Sequence, residues 1–116
     1  MKNIIIKRIY DAPSPDDGYR ILIDRLWPRG MKKENAHCDE WDKDLAPSNE
    51  LRQWFGHIPE RFDVFVQRYI EELKVKTQDL ERILKISETR QICLLYAAKD
   101  EKYNQAVVLK SVLESM

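Results

Sequence analysis

Two spacings of apolar residues alternate along this chain. Ile4-Ile5-Ile6 with Ile9 is a β-branched run that predicts a first strand. Tyr19 to Asp24, reading Tyr-Arg-Ile-Leu-Ile-Asp, predicts a second. Ile92 to Tyr96 is apolar throughout, as a central strand covered on both faces requires. Between the second and third strands the period changes. Phe62, Phe65, Val66, Tyr69, Ile70 and Leu73 fall on one stripe of a helix. Leu80, Ile83 and Leu84 make the inner face of another helix, with Thr77 as its cap. Ala106, Leu109, Val112 and Leu113 do the same for a last helix, with Asp100 expected to cap it.

The polar segments punctuate these elements. Asp11 to Gly18 holds two prolines and an Asp-Gly pair, which predict turns. Trp27-Pro28-Arg29-Gly30 ends the second strand, because Pro28 cannot donate to a ladder. Residues 31–46 are polar, with Trp41 and Leu45 as anchors, and predict a loop holding a short helix. Ser48 predicts an N-cap, Gly56 the end of that helix, and Pro59 the first turn of the next. The order is two strands, several helices, a strand and a helix. It predicts an α/β fold: a small, mainly parallel sheet flanked by helices, in a single domain over residues 1–116. The long helical crossover makes the second and third strands parallel. About ten residues join the first two strands, few for a crossover, and the pattern fits either direction there.

Composition narrows the functional classes. The chain has 116 residues, 34% of them charged, with 20 Lys+Arg against 20 Asp+Glu. A zero balance exerts no global pull on nucleic acid or an anionic membrane, so any anion site must be a local patch. Cys38 lies in a polar segment and Cys93 in an apolar strand, which argues against a disulfide. With no secretory signal in the early-charged start at Met1, and no membrane-length apolar run, a cytoplasmic location is expected.

Two polar clusters follow the two best strands. One is Asp24-Arg25-Leu26-Trp27-Pro28-Arg29-Gly30; the other is Tyr96-Ala97-Ala98-Lys99-Asp100 with Asn104. Ligands of open α/β sheets bind outside the carboxyl ends of parallel strands, so the clusters are expected to meet on one rim. Arg25, Arg29 and Lys99 would gather there beside the N-terminus of the last helix, with Arg52 in reach. Tyr96 and Asn104 would orient a ligand, and Asp24 or His57 would be the acid–base group. The bland alternatives are an Asp24–arginine pair, an Asp100–Lys99 pair and solvated charges. Ser48 is better explained as a cap than as a nucleophile, and Cys93 as core. His37-Cys38-Asp39 lacks a second ligand pair, so no metal is expected. The glycines are too dispersed for a phosphate loop, and no cofactor is expected.

These residues resemble a known family. Lys7-Arg8-Ile9-Tyr10, the stretch from Asp17 to Gly30, Trp41 to Ser48, Glu50-Leu51-Arg52, and Leu94 to Asp100 with Asn104 closely resemble the YeaO-like branch of the domain-of-unknown-function 488 family. The resemblance spans nearly the whole chain, and Asp24 to Gly30 is its most specific part. It implies a small α/β fold and supplies no reaction, cofactor or substrate. Its recurring motif positions match Arg25, Trp27, Pro28, Arg29, Gly30, Trp41, Pro47, Ser48, Arg52, His57, Tyr96, Lys99 and Asn104. Longer relatives carry a cysteine–histidine–arginine triplet near the start of the last helix. This chain has Tyr103-Asn104-Gln105 there, so thiol chemistry does not carry over.

Three functions compete. The first is binding of an anionic small molecule bearing phosphate or carboxylate, with or without catalysis. The second is a structural or partner-binding protein whose arginines are spent internally, leaving no pocket between Arg25 and Arg29. The last is a nucleic-acid module built on Arg25, Trp27, Arg29, Lys32 and Lys33. The acidic run at Asp39, Glu40, Asp42 and Asp44 disfavours it.

Overall fold

The computed structural model describes residues 3–116; Met1 and Lys2, the start of the early-charged segment, lie outside the described residues. Strands β1 (Ile4–Arg8), β2 (Tyr19–Leu22), β3 (Glu40–Trp41) and β4 (Ile92–Tyr96) form one sheet in the order β1-β4-β2-β3, and every pairing is parallel. The α/β expectation therefore holds. β4 lies between β1 and β2, and all five of its residues are buried.

This arrangement resolves the direction of the first two strands. They are parallel and not neighbours, and residues 9–18 carry the chain back past β4. The Gln91 amide donates to the Asp16 and Asp17 carbonyls at 2.7 and 2.9 Å, fixing that return. Gly18 has φ +83°, and a Cβ there would lie 2.3 Å from the Gln91 carbonyl oxygen, so the position demands glycine.

The two faces of the sheet differ. Ile4, Ile21, Ile23, Ile92, Leu94 and Tyr96 pack under the longer helices. Those are α2 (Asn49–Phe55), α3 (Phe62–Leu73), α4 (Thr77–Ser87) and α5 (Gln105–Ser115). The opposite residues, Leu22, Cys93 and Leu95, are covered by Ile9, Trp27, Trp41 and Ala36 of the short helix α1 (Lys33–Ala36). Cys93 is a core residue, and burial pushes its thiol up to about 11.

Several local expectations are corrected. β2 stops at Leu22, two residues short of Asp24. Residues 31–46 contain, besides α1, the two-residue strand β3, too short to show a period. Thr77 is the first residue of α4, and its hydroxyl donates to the Lys74 carbonyl. Asp100 accepts from the N–H groups of Lys102 and Tyr103 in a turn, while Asn104 caps α5 by accepting from Val107 N at 3.1 Å. Ser48 does cap α2, accepting from Leu51 N at 3.1 Å, and Glu72 of α3 accepts its hydroxyl at 2.6 Å.

A buried ion network holds the loop face. Asp17 receives Lys7 at 3.1 Å and Arg20 through Nη1. Arg20 also donates to the Ala36 and His37 carbonyls, both at 2.9 Å. Burial raises the Asp17 carboxyl, but hydrogen bonds from Ser14 N, Lys7 and Arg20 outweigh it and hold it below its ordinary value. Removing one member of such a network leaves buried charge unpaired. Asp17→Ala is expected to cost roughly 3–5 kcal/mol in urea unfolding, and a loss below about 1 kcal/mol would show that Arg20 finds other partners.

Candidate functional site

Because β2 and β4 are adjacent and parallel, their following loops leave the sheet on the same rim. The link between them is direct. Asp24 accepts from Ala97 N through Oδ2 at 3.0 Å, and from the Gln105 side-chain amide through Oδ1. One carboxyl thus joins the ends of two strands to the first turn of α5. A third strand end is tied in by Arg8, which donates to the Ala97 and Ala98 carbonyls at 3.3 and 2.8 Å. Its guanidinium lies 4.8 Å from the centre of the Tyr10 ring, and the Tyr10 hydroxyl donates to the Arg29 carbonyl at 2.7 Å.

These ties frame a cavity of about 460 Å³. Asp24, Arg25, Arg29, Arg52, His57 and Gln105 supply its polar lining, and Ala97 and Ala98 line it from the second cluster. Phe55 and Phe65 form a buried inner wall, their rings stacked at 4.4 Å. Leu26, Trp27, Pro28 and Tyr10 add further apolar lining.

The arginines differ in what they hold. Arg25 donates to the Pro47 and Ala46 carbonyls at 3.2 and 3.1 Å, so it fastens the segment before α2. Arg29 is exposed, and among the described residues it makes no ion pair. Arg52 has a buried Nε with no hydrogen-bond partner; its Nη2 makes one long contact, 3.5 Å, to Asn49. Arginine carries its charge in any physiological state, so three positive groups face a single lining carboxyl.

That carboxyl is itself perturbed. Burial pushes Asp24 up from 3.8 to about 6, against the opposing hydrogen bonds from Ala97 and Gln105 and the Arg52 charge. His57 has φ +59° just after α2, is exposed, and has its ring 6.0 Å from that of Phe55.

Of the residues singled out in the sequence, the cavity brings together Asp24, Arg25, Arg29, Arg52 and His57. It does not include Tyr96, Lys99 or Asn104. Tyr96 points into the helix-side core, Lys99 is exposed beyond the lining residue Ala98, and the amide of Asn104 is spent on Val107 N and the Asp100 carbonyl. The Asp24–arginine hydrogen bond weighed as the bland alternative does not form. Asp24 uses its oxygens on Ala97 and Gln105. Gln105, Arg8 and Tyr10 were missed as site residues. Asn104 and Gln105 mark a helix start, a signal that could have placed Gln105 on the rim.

A wider groove of about 770 Å³ runs between β3 and the start of α4. There Arg82 reaches Glu40, Asp42 and Asp79, at 2.5, 3.1 and 2.8 Å. Its one arginine is saturated by carboxylates, unlike those at the rim. Burial and the Asp79 carboxylate push Asp42 up to about 7, against the hydrogen bond from Leu45 N. Among the described residues no cluster of His, Cys, Asp or Glu is arranged to hold a metal ion, and no helix is long and apolar enough to cross a membrane.

The family model for the Inactive DUF488-N3 subclade matches residues 3–116. The chain belongs to this DUF488 subclade. Its relatives include the Escherichia coli K12 protein named Uncharacterized protein YeaO, 44% identical over 114 residues, covering 98% of this chain and 99% of the relative. Uncharacterized protein Rv3073c of Mycobacterium tuberculosis H37Rv is 40% identical over 108 residues, covering 93% and 91%. No solved structure is a significant match to this DUF488 chain.

The raised Asp24 has a stability signature. Its folded-state pKa, about 6, exceeds the unfolded value near 3.8. Between the two, the folded state binds more protons, so stability falls as pH rises through that window. Asp24→Asn keeps an acceptor for Ala97 N, and the Gln105 amide can turn to accept from its new NH2. The variant is expected to gain about 2–3 kcal/mol over the parent at neutral pH and little at about pH 4. Urea titrations at both pH values check this, and an equal difference at the two would refute the assignment.

Proposed function

We propose that this protein binds an anionic small ligand, bearing phosphate or carboxylate, in the cavity at the carboxyl ends of β2 and β4. The observation that carries the reading is the surplus of positive charge. Arg25, Arg29 and Arg52 line one cavity with a single carboxyl, Arg29 makes no ion pair among the described residues, and Arg52 keeps a buried Nε unpartnered. Arg52 beside the cavity makes only one long contact through Nη2, and a guanidinium so little used by the protein fits a ligand oxygen. The position at the strand ends of a parallel sheet supports the same reading.

Binding without chemistry is favoured over catalysis. Among the described residues no serine, threonine or cysteine lines the cavity, and the matching family is itself described as inactive. Asp24, its carboxyl raised to about 6 by burial, and His57 are the acid–base groups among the lining residues. A nucleic-acid interface has less support, because Trp27 packs edge-on to Trp41 at 5.2 Å and Arg25 is held by two carbonyls. A wholly structural use of the arginines accounts for Arg25 but not for Arg29 or Arg52.

Sulfate is a suitable probe because its charge is constant over the relevant pH range. Titrated into the protein and followed by amide chemical shifts, it is expected to perturb residues 24–29, 52 and 97–98. Arg29→Ala and Arg52→Ala should each weaken it by roughly tenfold. An anion beside Asp24 disfavours the ionised carboxyl, so binding takes up a proton and affinity falls as pH rises from about 5 to about 8. No shifts at these residues under millimolar sulfate would end the proposal.

A further inference from the structure

We infer that the ligand is a ring-bearing anion: a planar apolar group attached to the phosphate or carboxylate that the arginines hold. This inference rests on the anion-binding reading and adds the chemical class. The cavity is too large and too apolar for an oxyanion alone. Its volume of about 460 Å³ falls within the roughly 300–1,000 Å³ of sites that enclose whole small molecules. A bare sulfate or phosphate fills a minor part of that, and would leave the exposed lining side chains of Leu26 and Tyr10 facing water.

The charged and apolar linings are also differently placed. Phe55 and Phe65 are 4% and 2% exposed and close the inner end. Leu26 is 58% exposed and Tyr10 40%, although both line the same cavity, so apolar surface continues from the inner wall out to the mouth. One exposed leucine needs no explanation; one that extends a concave apolar surface beside unpaired arginines does. Leu26 lies directly between Arg25 and Trp27, whose side chains the Ala46, Pro47 and Met31 carbonyls hold, so its backbone position at the cavity is braced on both sides. A flat ring seated between Leu26 and the phenylalanine wall would cover that surface while its anionic group met Arg29 and Arg52. Arginine planes also tolerate a ring stacked against them, which a bare ion does not use.

Matched probes isolate the ring. Phenyl phosphate is compared with inorganic phosphate, and benzoate with acetate, by calorimetry on the intact protein at one ionic strength. In each pair the ring-bearing member is expected to bind at least about tenfold tighter. Leu26→Ser alters an exposed side chain and should fold; it is expected to cut that preference by about threefold or more, through weaker phenyl phosphate binding. Equal affinities within the pairs, with shifts at residues 25–29 and 52, would overturn the ring inference and leave the anion reading intact. A ring preference undiminished in Leu26→Ser would place the ring elsewhere and overturn it too. Failure of every probe to bind would remove the anion reading and this inference with it.

Discussion

Asp24 and Ala97 leave neighbouring parallel strands at the same level, and the carboxyl of one accepts the N–H of the other at 3.0 Å. An antiparallel pair would send the two loops to opposite ends of the sheet. Here the long crossover fixes the direction, and β4 in the middle brings β1 and β2 to either side of it. The cavity is a consequence of that geometry. Asp24 then recruits Gln105 from α5, and Arg8 ties the end of β1 to residues 97 and 98. The rim is held by groups that cross between elements, so each loop is positioned by the others.

Holding the rim this way has a cost, and its location matters. A carboxyl buried under the ends of two strands pays desolvation, which its two donors and Arg52 only partly offset. A neutral asparagine would satisfy the same donors with less penalty. An acidic group placed there instead couples the rim to proton occupancy. The Asp17 network on the sheet's loop face is the contrast: two cations surround that carboxylate, and its charge is held on rather than pushed off. One buried acid is built for rigidity and the other responds to its surroundings.

Much of this was legible in the apolar pattern. The three principal strands, the parallel relation of β2 to β4, the Ser48 cap and the Gly56 stop all follow from periodicity and from turn and cap chemistry. β3 was not, because two residues carry no period and its pairing depends on β2. The direction of β1 was not, because it is set by β4, more than eighty residues away along the chain. Asp and Asn both suit a helix cap, so the sequence points equally to Asp100 for α5; the intervening turn, stabilised by Asp100 itself, moves the start to Asn104. On the rim, strand-end logic located Asp24, Arg25 and Arg29. It overreached with Lys99 and Tyr96, since nothing in a sequence says which way a loop side chain turns.

What sequence could least show is the division among the arginines. Arg8, Arg20 and Arg25 all donate to backbone carbonyls, and in that role the planar fork acts as a brace across loops. Carbonyls do not neutralise charge, so bracing with arginine rather than with amides leaves positive potential wherever the brace sits. Arg20 loses its potential to Asp17. Arg25 has no such carboxylate among the described ion pairs and stands at the cavity beside Arg29 and Arg52. The stretch from Asp24 to Gly30 therefore does two things with adjacent residues: Arg25 and Trp27 clamp the loop through carbonyls, and Leu26 and Arg29 are left facing outward. A segment braced so tightly cannot fold its exposed leucine and free arginine away. Their exposure follows from the braced backbone on either side, and these two side chains are what the proposed ligand, charged at one end and apolar at the other, would cover.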